Sequence, residues 1–299
     1  MRCRIFMLKI ERIPFLTGQT GLTGKQANRL LYIWHEKIVD ASRRNVPLQN
    51  GRSCGRPGLS SRPENLRPYI LKILDDQLPM NASLIVVAKK PQRGSTKTRL
   101  CPPFTPETAA EFYGCLMRDT LALAVKLRGV DLTLAYTPTS AIDYFHKLVP
   151  DGFGLIPQSG ADLGERLANA LEHHLQQGYR KAVIMNSDGP TLPLAHLKKA
   201  FAELDHVDVA LGMGHDGGYY LIGLKQHYPE LFENIAWSTE RVIPQTLEIC
   251  RRLKLKVHPL PEWYDVDVAA DLKRLGRDLN ENPAAAPHTY AFLQEIGEL

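Results

Sequence analysis

No Cys-x-x-Cys pair occurs in the 299 residues, and the five cysteines (Cys3, Cys54, Cys101, Cys115 and Cys250) are odd in number and far apart. That pattern argues against a disulfide framework and a zinc site, and it fits a reducing cytoplasm. Long apolar runs are also missing. The longest clean one, Leu84 to Ala88, has about five residues against the roughly 20 that a bilayer-spanning helix requires. No Ser-His-Asp or Cys-His arrangement stands in a recognisable context, and no internal repeat appears. A collagenous, low-complexity or wholly disordered chain is excluded by 44% hydrophobic and 23% charged residues with a mean hydropathy of −0.23. The length allows one large domain or two small ones.

Positive charge is present but unevenly spread. Residues 1–79 hold 14 Lys and Arg against 6 Asp and Glu, whereas the remaining 220 hold 23 against 26. The pI of 8.9 therefore belongs to the N-terminal quarter and speaks against nucleic acid as a partner of the whole chain. Arg4, Lys9, Glu11 and Arg12 interrupt what would be the apolar core of a signal peptide. A helix is expected over Lys25 to Ala41. Asn45 to Pro68, rich in Pro, Gly, Ser and Arg, is expected to be disordered because it holds too little apolar surface to offset its ordering entropy. Residues 1–79 thus read as a basic, largely disordered extension, either a nucleic-acid- or membrane-surface-binding arm, an organellar presequence or an over-extension upstream of a natural start at Met80. Residues 80–299 read as one domain.

In that body strand and helix patterns alternate. Strands are expected at Ser83–Ala88, Val130–Tyr136, Lys181–Asn186, Asp208–Gly212, Tyr219–Leu224 and Lys254–Pro259. Helices are expected at Thr105–Leu127, Ala161–Gln177, Pro193–Leu204, Ser238–Leu253 and Val268–Leu279. Ser238 is a candidate N-cap, and His173-His174 is expected on a solvated helix face. The order implies an α/β fold with a mostly parallel central sheet, helices on both faces and one local hairpin. Ligands of such sheets sit at the carboxyl ends of the strands.

Four loops at those ends carry chemistry-bearing residues. Lys89 to Leu100 packs five cations around Gly94 and three hydroxyl-bearing residues. It is not a Walker A loop; it is either a solvated charged loop or a phosphate-binding one, since Lys97 and Arg99 suit a phosphate chain and glycine permits close approach. In Asn186-Ser187-Asp188-Gly189-Pro190, Asp188 is either a ligand for a hard divalent cation or a turn- or helix-capping residue. Gly212 to Tyr220 contains Gly-x-Gly-x-x-Gly but is followed by a strand, so it is not a dinucleotide fingerprint. It is either a hairpin turn or a loop closing over a ligand, with Asp216 and Tyr219 facing it. Asp265 and Asp267, at alternate positions, point the same way. One is expected to join Asp188 at a metal and the other to cap the last helix.

Taken in order, the loops resemble a known family. The run is Lys-x-Pro-x-x-Gly-x-x-Lys-Thr-Arg-Leu, then Leu163-Gly164-Glu165-Arg166-Leu167, Ser-Asp-x-Pro, Asp-Gly-Gly-Tyr-Tyr-Leu-Ile-Gly, Trp-Ser-Thr and Asp-x-Asp. Over about residues 83–275 it resembles a glycosyltransferase-like family of the GT-A nucleotide-diphospho-sugar transferase fold, some of whose members are associated with arsenosugar biosynthesis. It is similar in turn to 2-phospholactate guanylyltransferases and, more distantly, to molybdenum-cofactor guanylyltransferases. Asn186 stands where the family usually has Gly, and Gly189 where a small polar residue is common.

The resemblance implies a nucleotide-binding loop with Lys89, Pro91, Gly94, Lys97, Thr98 and Arg99, joined by Ser187. It implies Mg²⁺ or Mn²⁺ on Asp188, with Asp265 or Asp267 assisting, and catalytic roles for Asp188 and Asp216. Gly217, Gly218, Tyr219, Trp237 and Ser238 would face the sugar or a small-molecule acceptor. Three activities stay open: glycosyl transfer from a nucleotide-diphosphate sugar, nucleotidyl transfer to a phosphorylated small molecule with pyrophosphate release, and nucleotide binding without turnover. The absence of Asp-x-Asp at the metal strand leans toward the second, the family's name toward the first.

Overall fold

The computed structural model describes residues 82–299; the expected helix at 25–41 and the expected disorder at 45–68 lie outside it. Seven strands form one sheet: β1 (Ser83–Lys89), β2 (Asp131–Thr137), β3 (Phe153–Pro157), β4 (Ala182–Met185), β5 (Val209–Gly214), β6 (Tyr219–Leu224) and β7 (Val257–Trp263). Their order is β3-β2-β1-β4-β6-β5-β7. Neighbours pair in parallel except at β6, which runs antiparallel to both β4 and β5. The hairpin expected from the sequence is thus the one reversal in a sheet whose other six strands share a direction.

Among the described residues seven α-helices flank the sheet: α1 (Pro106–Val125), α2 (Ile142–Leu148), α3 (Leu163–Gln176), α4 (Leu194–Glu203), α5 (Val242–Arg252), α6 (Ala269–Glu281) and α7 (Pro287–Glu295). Alternation along the strands explains why they cover both faces. Leu84, Val86, Leu134 and Val183 point into a core shared with α1, α2, α4, α6 and α7. Ile85, Ala135, Ile184 and Leu211 point the other way, into a core shared with α3 and α5. Leu84, Ile85 and Val86 are all completely buried, as a central strand covered on both sides requires.

Helix starts follow local chemistry. Thr105 caps α1 by accepting the Thr108 N–H, with Pro106 at the first helical position, as expected. Asp162 caps α3 in the same way through the Glu165 N–H. Three expectations are corrected. Ser238 caps nothing: it sits at φ 63°, and α5 begins four residues later at Val242. Neither Asp265 nor Asp267 caps α6. Asp271 does so from inside the first turn, accepting the N–H groups of Asp267 and Val268 at 2.9 and 2.8 Å. His174 is not solvated; only 3% of it is exposed, and its Nδ1 lies 2.7 Å from Ser83 Oγ. Helix α3 therefore buries the second histidine of the pair against β1. Helix α7 is held to α1 by Asp119, whose buried carboxylate accepts the N–H groups of His288 and Thr289 and the Thr289 hydroxyl. Among the described residues no helix is long and apolar enough to cross a membrane.

Candidate active site

Parallel strands deliver their following loops to one edge, and the tip of the β5–β6 hairpin turns at that same edge. A cleft of about 670 Å³ opens there, of the size that takes a small molecule. Its lining comes from the loop after β1, the loop after β4, the hairpin, residues 237–242, the start of α3 and Asp267.

The loop after β1 is shaped by its own polar groups. Thr96 Oγ1 accepts the Gln92 N–H at 2.9 Å, Lys89 Nζ donates to Ser95 O at 2.7 Å, and fully buried Leu100 pins the far end. Lys97 adopts a left-handed backbone (φ 48°) that turns its side chain inward. There its Nζ meets Asp188 Oδ1 at 2.8 Å and Asp267 Oδ1 at 2.5 Å, with only 6% of the side chain exposed. Burial opposes its charge, but the two carboxylates outweigh burial and hold the ammonium above its ordinary range. Residues 97, 188 and 267, far apart along the chain, are therefore in direct contact.

Behind this trio the packing is polar and tightly connected. Asn186 Nδ2 donates to Asp265 Oδ2 at 2.6 Å, and Asn186 Oδ1 accepts the Asp188 N–H. The other oxygen of Asp265, Oδ1, is buried with no hydrogen-bond partner among the described residues. Burial first, then the nearby charge of Asp188, pushes the Asp265 carboxyl up to about 8. Tyr113 from α1 fills the floor. Its hydroxyl accepts the Lys89 N–H and lies 2.8 Å from Ser187 Oγ, while its ring faces Lys97 Nζ at 5.8 Å. Burial raises its hydroxyl far above the usual phenol range, so it stays protonated.

The opposite wall is aromatic. Tyr219 and Trp237 stack edge to face at 6.0 Å, and the buried Tyr219 hydroxyl has no partner among the described residues. A Cβ on Gly164 would lie 2.3 Å from Phe232 O and 2.8 Å from Trp237 Nε1, so only glycine lets α3 approach this wall so closely. At the hairpin tip Asp216 Oδ1 accepts the Gly218 N–H at 3.0 Å. The Gly217 carbonyl accepts the Ile243 N–H, tying the tip to the start of α5.

Of the residues singled out from sequence, Lys89, Lys97, Thr98, Arg99, Ser187, Asp188, Asp216, Gly218, Tyr219, Trp237, Ser238 and Asp267 line the cleft. Pro91, Gly94, Gly217 and Asp265 stand outside that lining. Gly94 turns the exposed part of its loop, and Asp265 sits behind Asn186. Tyr113, Gln158 and Glu240 were missed. Tyr113 reads locally as one more apolar position of a buried helix, and nothing in its spacing separates it from the core.

The DUF2064 family, described as "Uncharacterized protein conserved in bacteria", matches residues 120–239. Among solved structures, the chain is 34% identical to the "putative nucleotide-diphospho-sugar transferase" of Desulfovibrio desulfuricans G20. That match has a TM-score of 0.68 and covers 72% of this chain and 94% of the other. A cytidylyltransferase from Leptospira borgpetersenii serovar Hardjo-bovis (strain JB197) is 15% identical, with a TM-score of 0.45, over 73% of this chain and 94% of the other. The 4-diphosphocytidyl-2C-methyl-D-erythritol synthase of Anaerococcus prevotii DSM 20548 is 9% identical, with a TM-score of 0.45, over 68% and 98%. Comparison with curated proteins gave no match.

Proposed function

The chain belongs to the DUF2064 family of nucleotide-diphospho-sugar transferase relatives, and from that premise we propose that its cleft transfers a glycosyl group from a nucleotide-diphosphate sugar to a small-molecule acceptor. The observation that carries the reading is the meeting of Lys97, Asp188 and Asp267 inside a cleft that also holds Lys89 and Arg99. Cations on the loop after β1 meet the diphosphate, with Arg99 able to grip two oxygens at once.

The lining holds four cations (Lys89, Lys97, Arg99, Arg166) and four carboxylates (Asp188, Asp216, Glu240, Asp267), so its formal charges cancel. A diphosphate entering such a site needs an added cation. Asp188 and Asp267, which present an oxygen each to the Lys97 ammonium, are donors of the kind a hard cation takes, and such an ion would bind there in place of the ammonium; no larger cluster of metal-ligating side chains occurs among the described residues. Mg²⁺ or Mn²⁺ on those two carboxylates would neutralise the diphosphate. Asp265, hydrogen-bonded to Asn186 beside Asp188, supports them from behind.

Transfer proceeds by attack of an acceptor hydroxyl oxygen on the anomeric carbon. The bond from that carbon to the diphosphate oxygen breaks with its electron pair leaving on the nucleoside diphosphate. The hydroxyl proton passes to Asp216, whose Oδ1 is fixed by the Gly218 N–H. Trp237 and Tyr219 offer flat apolar surface to the sugar or acceptor.

A second reading, nucleotidyl transfer with pyrophosphate release, is favoured by the Lys89–Arg99 loop, whose charge suits a triphosphate, and by Asn186 where an Asp-x-Asp would have its first carboxylate. One experiment separates the two. The protein is incubated with each sugar nucleotide or each NTP, with Mg²⁺ or Mn²⁺ and candidate acceptors, and products are resolved by ion-exchange chromatography. Free nucleoside diphosphate supports glycosyl transfer; pyrophosphate supports nucleotidyl transfer. Asp188→Asn is expected to lower kcat/KM by about 10²-fold or more. Absence of both products, together with absence of nucleotide binding, overturns both readings.

A further inference from the structure

The motif Leu163-Gly164-Glu165-Arg166-Leu167 has no part in the reaction above, yet the structure ties it to the loop before it. Helix α3 starts against the loop leaving β3, and the two are laced together. Ala161 N–H donates to Glu165 Oε2 at 2.8 Å, Asn169 Nδ2 to Ser159 O at 2.9 Å, and Arg166 Nε to Gly160 O at 3.1 Å. Gly160 is at φ 140°, and a Cβ there would lie 2.7 Å from Glu165 Cβ and 2.8 Å from Arg166 N, so the close seat of the loop on the helix depends on it. Gln158 anchors the same loop to the sheet through Ala88 O and Ala135 O.

These contacts aim one side chain. Arg166 is half-buried and lines the cleft. Its Nε is spent on Gly160 O, and among the described residues no carboxylate pairs with its two terminal nitrogens. Of the other lining cations, Lys97 is already matched by two carboxylates, Lys89 donates to a backbone carbonyl, and Arg99 belongs to the β1 loop assigned to the donor. Arg166 thus reaches the cleft from α3 as an oriented guanidinium fork whose terminal nitrogens are left for what binds there. A planar pair of N–H₂ groups suits the paired oxygens of a phosphate or carboxylate.

We propose that Arg166 binds an anionic group of the acceptor, so that the second substrate of the cleft is an acidic small molecule bearing a phosphate or a carboxylate. The proposal rests on the reading of the cleft as a nucleotide site, because it assigns the β1 loop to the donor and Arg166 to the other partner.

Calorimetric titration tests it. CTP, GTP, UTP and ATP are each titrated with Mg²⁺; the tightest is then held at saturation while inorganic phosphate, glucose 1-phosphate, glycerate and uncharged glucose are titrated in turn. The expected result is that the two phosphate probes or glycerate bind and glucose does not, the tighter set showing which anion the site takes. Arg166→Met should weaken that anion at least tenfold while shifting nucleotide affinity less than twofold, and Arg166→Lys should recover part of the loss. Arg166→Lys also decides the matter should Arg166→Met fail to fold, since a lost fork with kept charge must still weaken the anion. Unchanged anion affinity in the variants overturns the proposal, as does equal loss of anion and nucleotide, which would give Arg166 to the donor. Nucleotide binding with no anion uptake by the native protein overturns it while leaving the proposed function standing. If no nucleotide binds, the proposed function falls, and the phosphate titration on the free protein still decides for or against Arg166.

Discussion

Replacing Lys97 with methionine keeps the length and most of the apolar stem of the side chain but removes the charge shared by Asp188 and Asp267. Both carboxylates would then face each other, with Asp265 close behind, and nothing positive between them. Breaking a buried ion pair by deleting one partner typically costs about 3–5 kcal/mol. Here the carboxylate side chains are 28% and 38% exposed, so solvent screens part of the repulsion and about 2–3 kcal/mol is expected after that discount. The same vacancy should favour a divalent ion. At a dissociation constant on the order of 0.1 mM, 10 mM Mg²⁺ returns about 2.7 kcal/mol. The assay is urea unfolding of native protein and Lys97→Met with and without 10 mM Mg²⁺ or Mn²⁺, followed by far-UV circular dichroism. The variant should be less stable without metal and should gain markedly more from metal than the native protein does. A variant as stable as native, with the same response to metal, would refute the view of Lys97 as the cation that the two carboxylates share.

Other perturbations test the scaffold. His174 is held neutral, its imidazole brought down to about 4 by burial and then by His173; Tyr179, itself bonded to Asp131, packs on its ring. A base with a depressed folded-state pKa takes up its proton more readily when unfolded, so stability is full above about pH 6.5 and is lost as pH falls toward 4. Between pH 7 and 5 this amounts to about 2 kcal/mol. His174→Gln should lack that increment in paired urea titrations, and an equal pH-dependent loss in both proteins would contradict it. Asp119→Ala leaves the start of α7 without its acceptor and should cost about 2–4 kcal/mol, with hydrogen exchange quickening at residues 288–290 first. Gly164→Ala forces a methyl onto Phe232 O and Trp237, and should cost about 1–3 kcal/mol and shift the tryptophan emission; an unshifted spectrum would place Trp237 elsewhere.

Which parts of this molecule were legible in its sequence follows from how local each signal is. Strands such as Ser83–Lys89 announce themselves because burial on both faces demands an unbroken β-branched run. The Thr105-Pro106 start of α1 is written in adjacent residues. Strand β3 (Phe153–Pro157) and the helices α2 and α7 were missed, and for a common reason. Strand β3 lies at the sheet edge with mixed exposure, α2 has seven residues, and α7 owes its start to a carboxylate about 170 positions away rather than to a cap of its own. The same distinction runs through the site. Lys97, Asp188 and Asp267 could be singled out because each lies in a polar loop that follows a strand. That the lysine lies between the carboxylates, and that Arg166 reaches the cleft with no ion-pair partner among the described residues, depends on the register of the sheet and could not be read from spacing.

A sheet in which a single strand runs backward has two unlike rims. The working rim gathers every loop of the cleft; the far rim carries the short turns into β2, β4, β5 and β7. At two of these, Gly129 and Gly178, no described residue other than the chain neighbours has an atom within 4 Å of where a Cβ would point. Those turns are natural handles. A peptide tag, fluorophore or surface tether inserted at either should leave the cleft open, letting the proposed nucleotide binding be followed on an immobilised protein without touching the cleft.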